Sequence, residues 1–340
     1  MFSTDVSRIS LDSESRINGV NLRDGTHIES PTVVMACGGF ENNEDLRRDL
    51  IGPRKIGLLG SPHNMGDGIR LAQHVGATLW HMSAEASVLG YLPPGEQTGF
   101  ALGIRKPGFI YVNRHGKRFI NETELESHRA HIDTSSQDMK TGGFEHDPMW
   151  VISDAENFLT EDPPINDIFS YQVVVNGYRW SKNSKAEVDK GWIVVADTIE
   201  ELHKQIDVPH LQHTINQWNG YTSEVPDPFG RASETLKPLK PPYCAMQLTP
   251  LLYNTQGGPR RNARAQIMDF ENEVINGLFG AGELGSIWGH AYESSTNFSE
   301  TMVFGRIAGR EAAAFAKAVK EGKAPKSKHS VPGQPTVVHP

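Results

Sequence analysis

The tightest constraint on this chain lies near its end, in Gly277-Leu-Phe-Gly-Ala-Gly-Glu283, Tyr292 to Asn297 and Phe304-Gly-Arg-Ile-Ala-Gly309. It reads as a short apolar strand ending in a glycine turn with one acid, then an irregular loop, then a helix that starts at Ser299. Glycines let a ligand approach the backbone closely, and a helix start turns unpaired N–H groups and a partial positive charge on whatever lies before it. That arrangement suits a dinucleotide whose reactive ring becomes negatively charged. After Ser299 the period is helical. Met302, Val303, Ile307, Ala308 and Phe315 bracket a row of small residues, Gly305, Gly309 and Ala312, suited to close packing on a sheet. Ser299 is the expected N-cap, with Glu300 in the first turn.

Other blocks precede it. Val33-Val-Met-Ala-Cys-Gly-Gly-Phe40 reads as a buried strand running into a double-glycine turn. Gly66 to Val75 predicts a helix with Ile69, Ala72 and Val75 on one side. Ile110-Tyr-Val-Asn-Arg-His-Gly-Lys-Arg-Phe-Ile-Asn-Glu122 and Gly257-Gly258, followed by Asn262 to Asp269, complete the set. In wording and order these blocks resemble the flavoproteins of the fumarate reductase and succinate dehydrogenase family. The resemblance implies an α/β fold: an FAD-binding, Rossmann-like domain with an inserted α+β substrate or capping domain. It implies FAD as cofactor, with Glu283 bonding the ribityl hydroxyls and Asn297 and Ser299 near the flavin pyrimidine edge. Gly38, Gly39, Gly66, Asp67 and Gly282 are the further cofactor contacts it implies.

The expected FAD-binding domain is discontinuous, 1–82 and 246–322. Residues Val6 to Ile28 read as a β-meander, with turn signals at Asp12-Ser13 and Asp24-Gly25. Between 83 and 245 the texture shifts to frequent Gly, Pro and polar residues, which marks the inserted domain. Strands are expected at Gly108 to Val112, Trp150 to Ser153 and Trp192 to Ala196, and helices at Ile199 to Gln205 and Pro209 to Glu224. The Pro/Lys/Ser tail, 323–340, is expected to be disordered.

One unit expected by comparison with the family is missing. A flavoprotein of this type opens with a strand, Gly-x-Gly-x-x-Gly and a helix that bind the pyrophosphate. This chain shows none at its start. Gly280-Ala-Gly-Glu-Leu-Gly285 has the spacing, but no amphipathic helix follows it, so it reads as the family's Ala-Gly-Glu turn.

Catalysis in this family moves a hydride between the flavin and one carbon of a C–C bond while a side chain handles a proton on the neighbouring carbon. The family's proton-donating arginine falls at Glu126 here, with Arg129 three residues later. Its substrate-binding histidine is replaced by Tyr253-Asn254, and its final carboxylate-clamping arginine has no counterpart in His290 to Thr296. Fumarate or succinate is therefore not the expected substrate. Tyr292 opens Tyr-Glu-Ser-Ser-Thr296, which resembles the carbonyl-polarising tyrosine turn of ketosteroid dehydrogenases, although a buried structural tyrosine remains an equal alternative. Tyr292, Tyr253 and Arg129 are the candidate catalytic residues. His128 and His131 lack metal-ligand spacing with their neighbours, so no metal site is expected.

With 340 residues, a net charge of −8 and 37% hydrophobic residues, the chain is expected to be a soluble protein with no nucleic-acid partner. No stretch approaches the ~20 apolar residues of a membrane span. Two cysteines, Cys37 and Cys244, and a start without signal-peptide character fit a cytoplasmic location. The expected partners are a small-molecule substrate and an electron donor or acceptor, with a second chain completing the flavin domain as a further candidate. Two readings follow: an FAD-dependent oxidoreductase acting on a CH–CH or C=C bond, or a non-catalytic family member that needs a partner chain to retain FAD.

Overall fold

The structure is a computed structural model that describes residues 3–125, 128–162, 164–165, 177–293 and 295–328. In chain order the elements are β1 (Val6–Leu11), β2 (Ile17–Leu22), β3 (His27–Glu29), β4 (Val33–Met35), α1 (Glu44–Leu50), β5 (Gly57–Leu58), α2 (Asp67–His74), β6 (Leu79–Trp80), β7 (Glu85–Tyr91), β8 (Phe100–Ala101), β9 (Phe109–Val112), α3 (Ala130–Thr134), β10 (Met149–Asp154) and α4 (Ala155–Phe158). They continue with α5 (Lys185–Asp189), β11 (Val194–Ala196), α6 (Ile199–Ile206), α7 (Leu211–Gly220), β12 (Tyr243–Thr255), β13 (Gly258–Pro259), β14 (Gln266–Met268), β15 (Val274–Gly280) and α8 (Thr296–Lys320). The chain divides into two compact units, one of residues 1–53, 62–85 and 254–340 and one of residues 54–61 and 86–253.

In the first unit the expected meander is present as an antiparallel sheet, β1-β2-β3. A second sheet has the order β14-β15-β4, with β15 antiparallel to β14 and parallel to β4. Its core gathers Met35, Phe40, Ile69, Ala72, Ile267 and Leu278 around α2. A separate cluster of Phe279, Ala281, Phe304, Ala308 and Ala312 seats α8.

Helix α8 corrects two expectations. It begins at Thr296, with Ser295 as N-cap in the left-handed region (φ 68°). Ser299 already donates its N–H to the Ser295 carbonyl, so it lies within the helix and not at its cap. The buried row is Asn297, Glu300, Phe304, Ala308 and Ala312. Gly305 and Gly309 are exposed with no atom near a Cβ at either, and Met302 and Val303 are exposed as well. Of the expected small-residue row, Ala312 is buried in the cluster that seats α8, while Gly305 and Gly309 pack on nothing among the described residues. The last part of the expected disordered tail, residues 329–340, lies outside them.

The second unit is built on the sheet β8-β7-β12-β10-β9, with β11 and β5 also paired to β12. Strand alternation divides β10 between two cores. Met149 and Val151 join Phe100, Tyr111 and Met246 on one face. Ile152 joins Ile110, Leu202, Ile215 and Trp218 on the other, under α6 and α7. Helix α6 starts with a capping box, Thr198 and Glu201 exchanging side-chain and backbone bonds.

The Gly-Lys-Arg-Phe block has a structural role in this unit. Arg118 donates Nε and Nη2 to Glu122 at 2.8 and 2.7 Å and pairs with Asp227 through Nη1. Arg231 donates Nη1 to Glu122 at 3.0 Å and to the Phe109 carbonyl at 2.7 Å. Glu122 also accepts from the Tyr111 N–H at 3.1 Å. Both guanidinium groups lie over the Trp218 ring, at 4.8 and 4.7 Å. Removing one member of such a buried set strands charge in the core. Glu122→Ala is expected to destabilise this unit by about 3–5 kcal/mol. Urea unfolding followed by tryptophan fluorescence checks this, and an unchanged midpoint would contradict it.

Candidate functional site

The organising segment is Asn254-Thr255-Gln256, at the end of β12. Its ends are fixed by backbone bonds, Gln256 N–H to Ala84 O and Ser286 N–H to Gln256 O, each at 2.9 Å. Strand alternation sends Asn254 and Gln256 one way and Thr255 the other.

On the first side the three amides and one acid form a chain. Gln256 Nε2 donates to Asn254 Oδ1, and Asn254 Nδ2 donates to Glu283 Oε1, both at 2.9 Å. Asn297 Nδ2, from the first turn of α8, donates to the same Glu283 oxygen at 2.9 Å. Burial pushes the Glu283 carboxyl up from its ordinary range. The two amides pull it back, and the Glu300 carboxylate adds to the upward push. Asn297 Oδ1 and Gln256 Oε1 are buried acceptors with no donor among the described residues. A buried acceptor left unmatched costs free energy, so the cluster fits a ligand that brings hydroxyl or N–H donors.

On the second side Thr255 Oγ1 accepts from the Phe40 N–H at 2.8 Å and lies 3.4 Å from Glu41 Oε2. Glu41 is 1% exposed, and its other oxygen accepts from Asn64 Nδ2. Its carboxyl is pushed up to about 7, chiefly by burial and further by the charge of Glu283, against the bonds from Asn64 and Thr255. The same groups explain the double glycine. A Cβ on Gly39 would lie 2.3 Å from Thr255 Oγ1 and 2.6 Å from Glu41 Oε2. One on Gly38, at φ 73°, would lie 2.8 Å from Asn64 Oδ1.

The other expected cofactor residues are placed less uniformly. Gly282, at φ 76°, makes the turn that presents Glu283. Gly66 caps α2 at φ 82°, while Asp67 points outward and sits 3.5 Å from Arg70. Ser299 is exposed and donates its hydroxyl to the Ser295 carbonyl, apart from the Glu283 cluster. Tyr292, half-buried, follows the short 3-10 turn Gly289–Ala291.

In the second unit Tyr253 stacks on His128, with ring centroids 5.3 Å apart and planes 26° apart. Arg129 follows His128 in the chain and bridges Ser87 of β7 through its backbone. Ser87 also fixes this turn. Its N–H donates to His128 O at 2.9 Å, and its Oγ accepts from the His131 N–H at 3.0 Å. The expected Tyr253 and Arg129 are thus held on one small framework. Glu126 lies outside the described residues. Sequence reasoning missed Glu41, Asn254 and Gln256 as site residues. The period-2 pattern running into Gly257-Gly258 was the available signal for the last two.

Residues 1–299 match the FAD binding domain family. This chain belongs to that family. It is 28% identical over 305 residues to a probable fumarate reductase of Shewanella frigidimarina (strain NCIMB 400), covering 85% of this chain and 45% of that protein. It is 28% identical over 343 residues to the 4-oxocyclohexanecarboxylate 2-dehydrogenase of Sinomonas cyclohexanicum, covering 92% and 56%. The crystal structure of 3-ketosteroid delta1-dehydrogenase from Sterolibacterium denitrificans, in complex with 1,4-androstadiene-3,17-dione, superposes with a TM-score of 0.72 at 26% identity. That match covers 92% of this chain and 59% of the other. The chain spans about half the length of the curated relatives it matches. The expected α/β flavoprotein fold and FAD as the family's cofactor both stand. No helix among the described residues is long and apolar enough to cross a membrane.

A carboxyl held near 7 when folded and near 4.5 when unfolded stabilises the fold below pH 4.5, and that contribution is lost as pH rises through 7. The loss is on the order of 3 kcal/mol. Glu41→Gln is expected to flatten the decline in stability between these pH values. Unfolding midpoints across the range check this, and parallel wild-type and mutant curves would contradict it.

Proposed function

We propose that this chain is the cofactor- and substrate-holding part of an FAD-dependent oxidoreductase that acts on a CH–CH or C=C bond of a small organic molecule other than fumarate or succinate. The observation that carries this reading is the buried amide chain around Glu283, with acceptors left unmatched at Gln256 and Asn297. Glu283, Asn254 and Asn297 would hold FAD through donor groups of its sugar chain and ring, with Gly38, Gly39 and Gly282 as backbone neighbours. When bound, FAD would supply the hydride acceptor or donor. The first N–H groups of α8 favour negative charge in front of them. Tyr253, Arg129 and Tyr292 are the candidates for polarising the substrate and moving a proton at its carbon, with Tyr253 oriented by the His128 ring. The relatives named above as a fumarate reductase and a 4-oxocyclohexanecarboxylate 2-dehydrogenase support C–C bond redox chemistry as the reaction class.

A specific observation favours a second reading, in which a partner polypeptide is needed to retain FAD. Strand β4 stands at the edge of its sheet among the described residues, with Val34 exposed. Met302, Val303 and Phe298 leave an apolar face on α8. A further strand and helix would cover both, and an uncovered edge invites pairing.

The test is flavin absorbance of the purified chain before and after adding FAD, followed by desalting. A retained flavin spectrum is expected, and Glu283→Ala is expected to weaken FAD binding by about 10-fold or more. A protein that stays colourless shifts the conclusion to the second reading.

A further inference from the structure

Glu41 belongs to no step proposed above, yet it is among the most deeply buried acids of the first unit. Its surroundings have three properties. Among the described residues its carboxyl receives side-chain bonds from two neutral groups, Asn64 and Thr255. Those two residues, with the carboxyl itself, are the atoms that crowd Gly38 and Gly39. Across the segment 254–256, the Glu283 carboxyl acts on it through space.

We propose that Glu41 is a positioning residue of the cofactor site, and that FAD binds to the form in which Glu41 carries a proton. This rests on the reading of the Glu283 cluster as an FAD site. Asn254 and Thr255 are adjacent on one strand, so the group that engages Glu283 and the group that braces Glu41 move together. Adding charge at Glu41 sets two carboxylates on opposite sides of that strand in a buried setting, where they repel. It also changes what Thr255 and Asn64 must bond, and these two hold the Gly38-Gly39 turn. An anionic dinucleotide adds further negative charge and favours the neutral acid again.

The charged groups around Glu41 do not cancel this. Arg47 of α1 donates Nη1 to the Glu41 backbone carbonyl and its charge attracts the Glu41 carboxylate, yet burial still leaves that carboxyl pushed up. Asp67, opening α2, acts on Cys37. Strand β12 brings only neutral side chains against it, and Glu283, in the turn after β15, is the remaining charged neighbour.

The experiment is FAD affinity of the full chain against pH, for wild type and Glu41→Gln, with calorimetry in two buffers of different ionisation heat. For the wild type, affinity is expected to fall about tenfold per pH unit above roughly pH 7, with net proton uptake on binding. Glu41→Gln is expected to bind with nearly constant affinity across that range. A wild-type pH profile that persists in Glu41→Gln overturns the role of Glu41 and leaves the cofactor site standing. If the variant does not fold, the wild type alone decides, because binding without proton uptake at pH 7.5 overturns the proposal. No FAD binding by the wild type at any pH overturns the reading that this chain retains FAD by itself, and this inference with it.

Discussion

The first unit depends on a buried ion pair, Arg261 with Glu300, both side chains fully enclosed. Taking two charges out of water costs several kcal/mol for each ion unless every remaining donor and acceptor is matched. Here they largely are. Arg261 donates Nη1 to Leu284 O at 2.8 Å and Nη2 to Gly282 O at 3.1 Å, and its guanidinium covers the Phe304 ring at 4.7 Å. Glu300 accepts from Ser286 Oγ at 2.6 Å and from the Ile287 N–H at 2.9 Å. The pair therefore clamps the whole turn 282–287 to α8. Glu300 and Asn297 stand three residues apart on that helix and so share a face. The same helix face that carries the clamp delivers the amide to Glu283. The clamp thus fixes the turn that carries the Glu283 carboxyl.

Local pattern made much of this legible before the structure. The meander expected over Val6 to Ile28, α2, β9, β10, β11 and α6 fall close to where periodicity and turn residues put them, and α7 is present but ends at Gly220, short of the expected Glu224, because each is decided largely by neighbours within a few positions. What was not legible depends on partners distant in the chain. Arg118 and Glu122 read as a substrate-domain signature, yet their closing partners Asp227 and Arg231 lie about a hundred residues on, in a segment with no pattern of its own. The start of α8 was misplaced because Ser299 has the chemistry of an N-cap. The true cap is Ser295, which turns the chain through the left-handed region, a conformation that residue type alone does not announce. Glu41 was passed over for a related reason. It follows Gly38-Gly39-Phe40, and its burial depends on Asn64 and on Thr255, which lie far along the chain.

The helix α8 also shows how a correct local reading meets a different tertiary outcome. Gly305 and Gly309 have the spacing of a close-packing row, and the residues around them are apolar. Its burial is nonetheless set by the opposite face, where Phe304, Ala308 and Ala312 meet Phe279 and Ala281. A helix with apolar residues on both faces is built to be sandwiched. Among the described residues the sheet β14-β15-β4 in the same unit ends at β4.

The two acids on either side of residues 254–256 differ in what they need. Glu283 has amide donors and a clamped turn, so its place is explained by its contacts. Glu41 has no such account. A glutamine there would fill the same volume and take the same bond from Asn64 without the cost of enclosing a group that tends to ionise. The Glu283 charge makes Glu41 harder to ionise, so the charge state of Glu283 bears on that of Glu41. An acid kept in that position is of use where its proton is taken up and released, and a site that binds an anionic ligand nearby is where such exchange has a consequence.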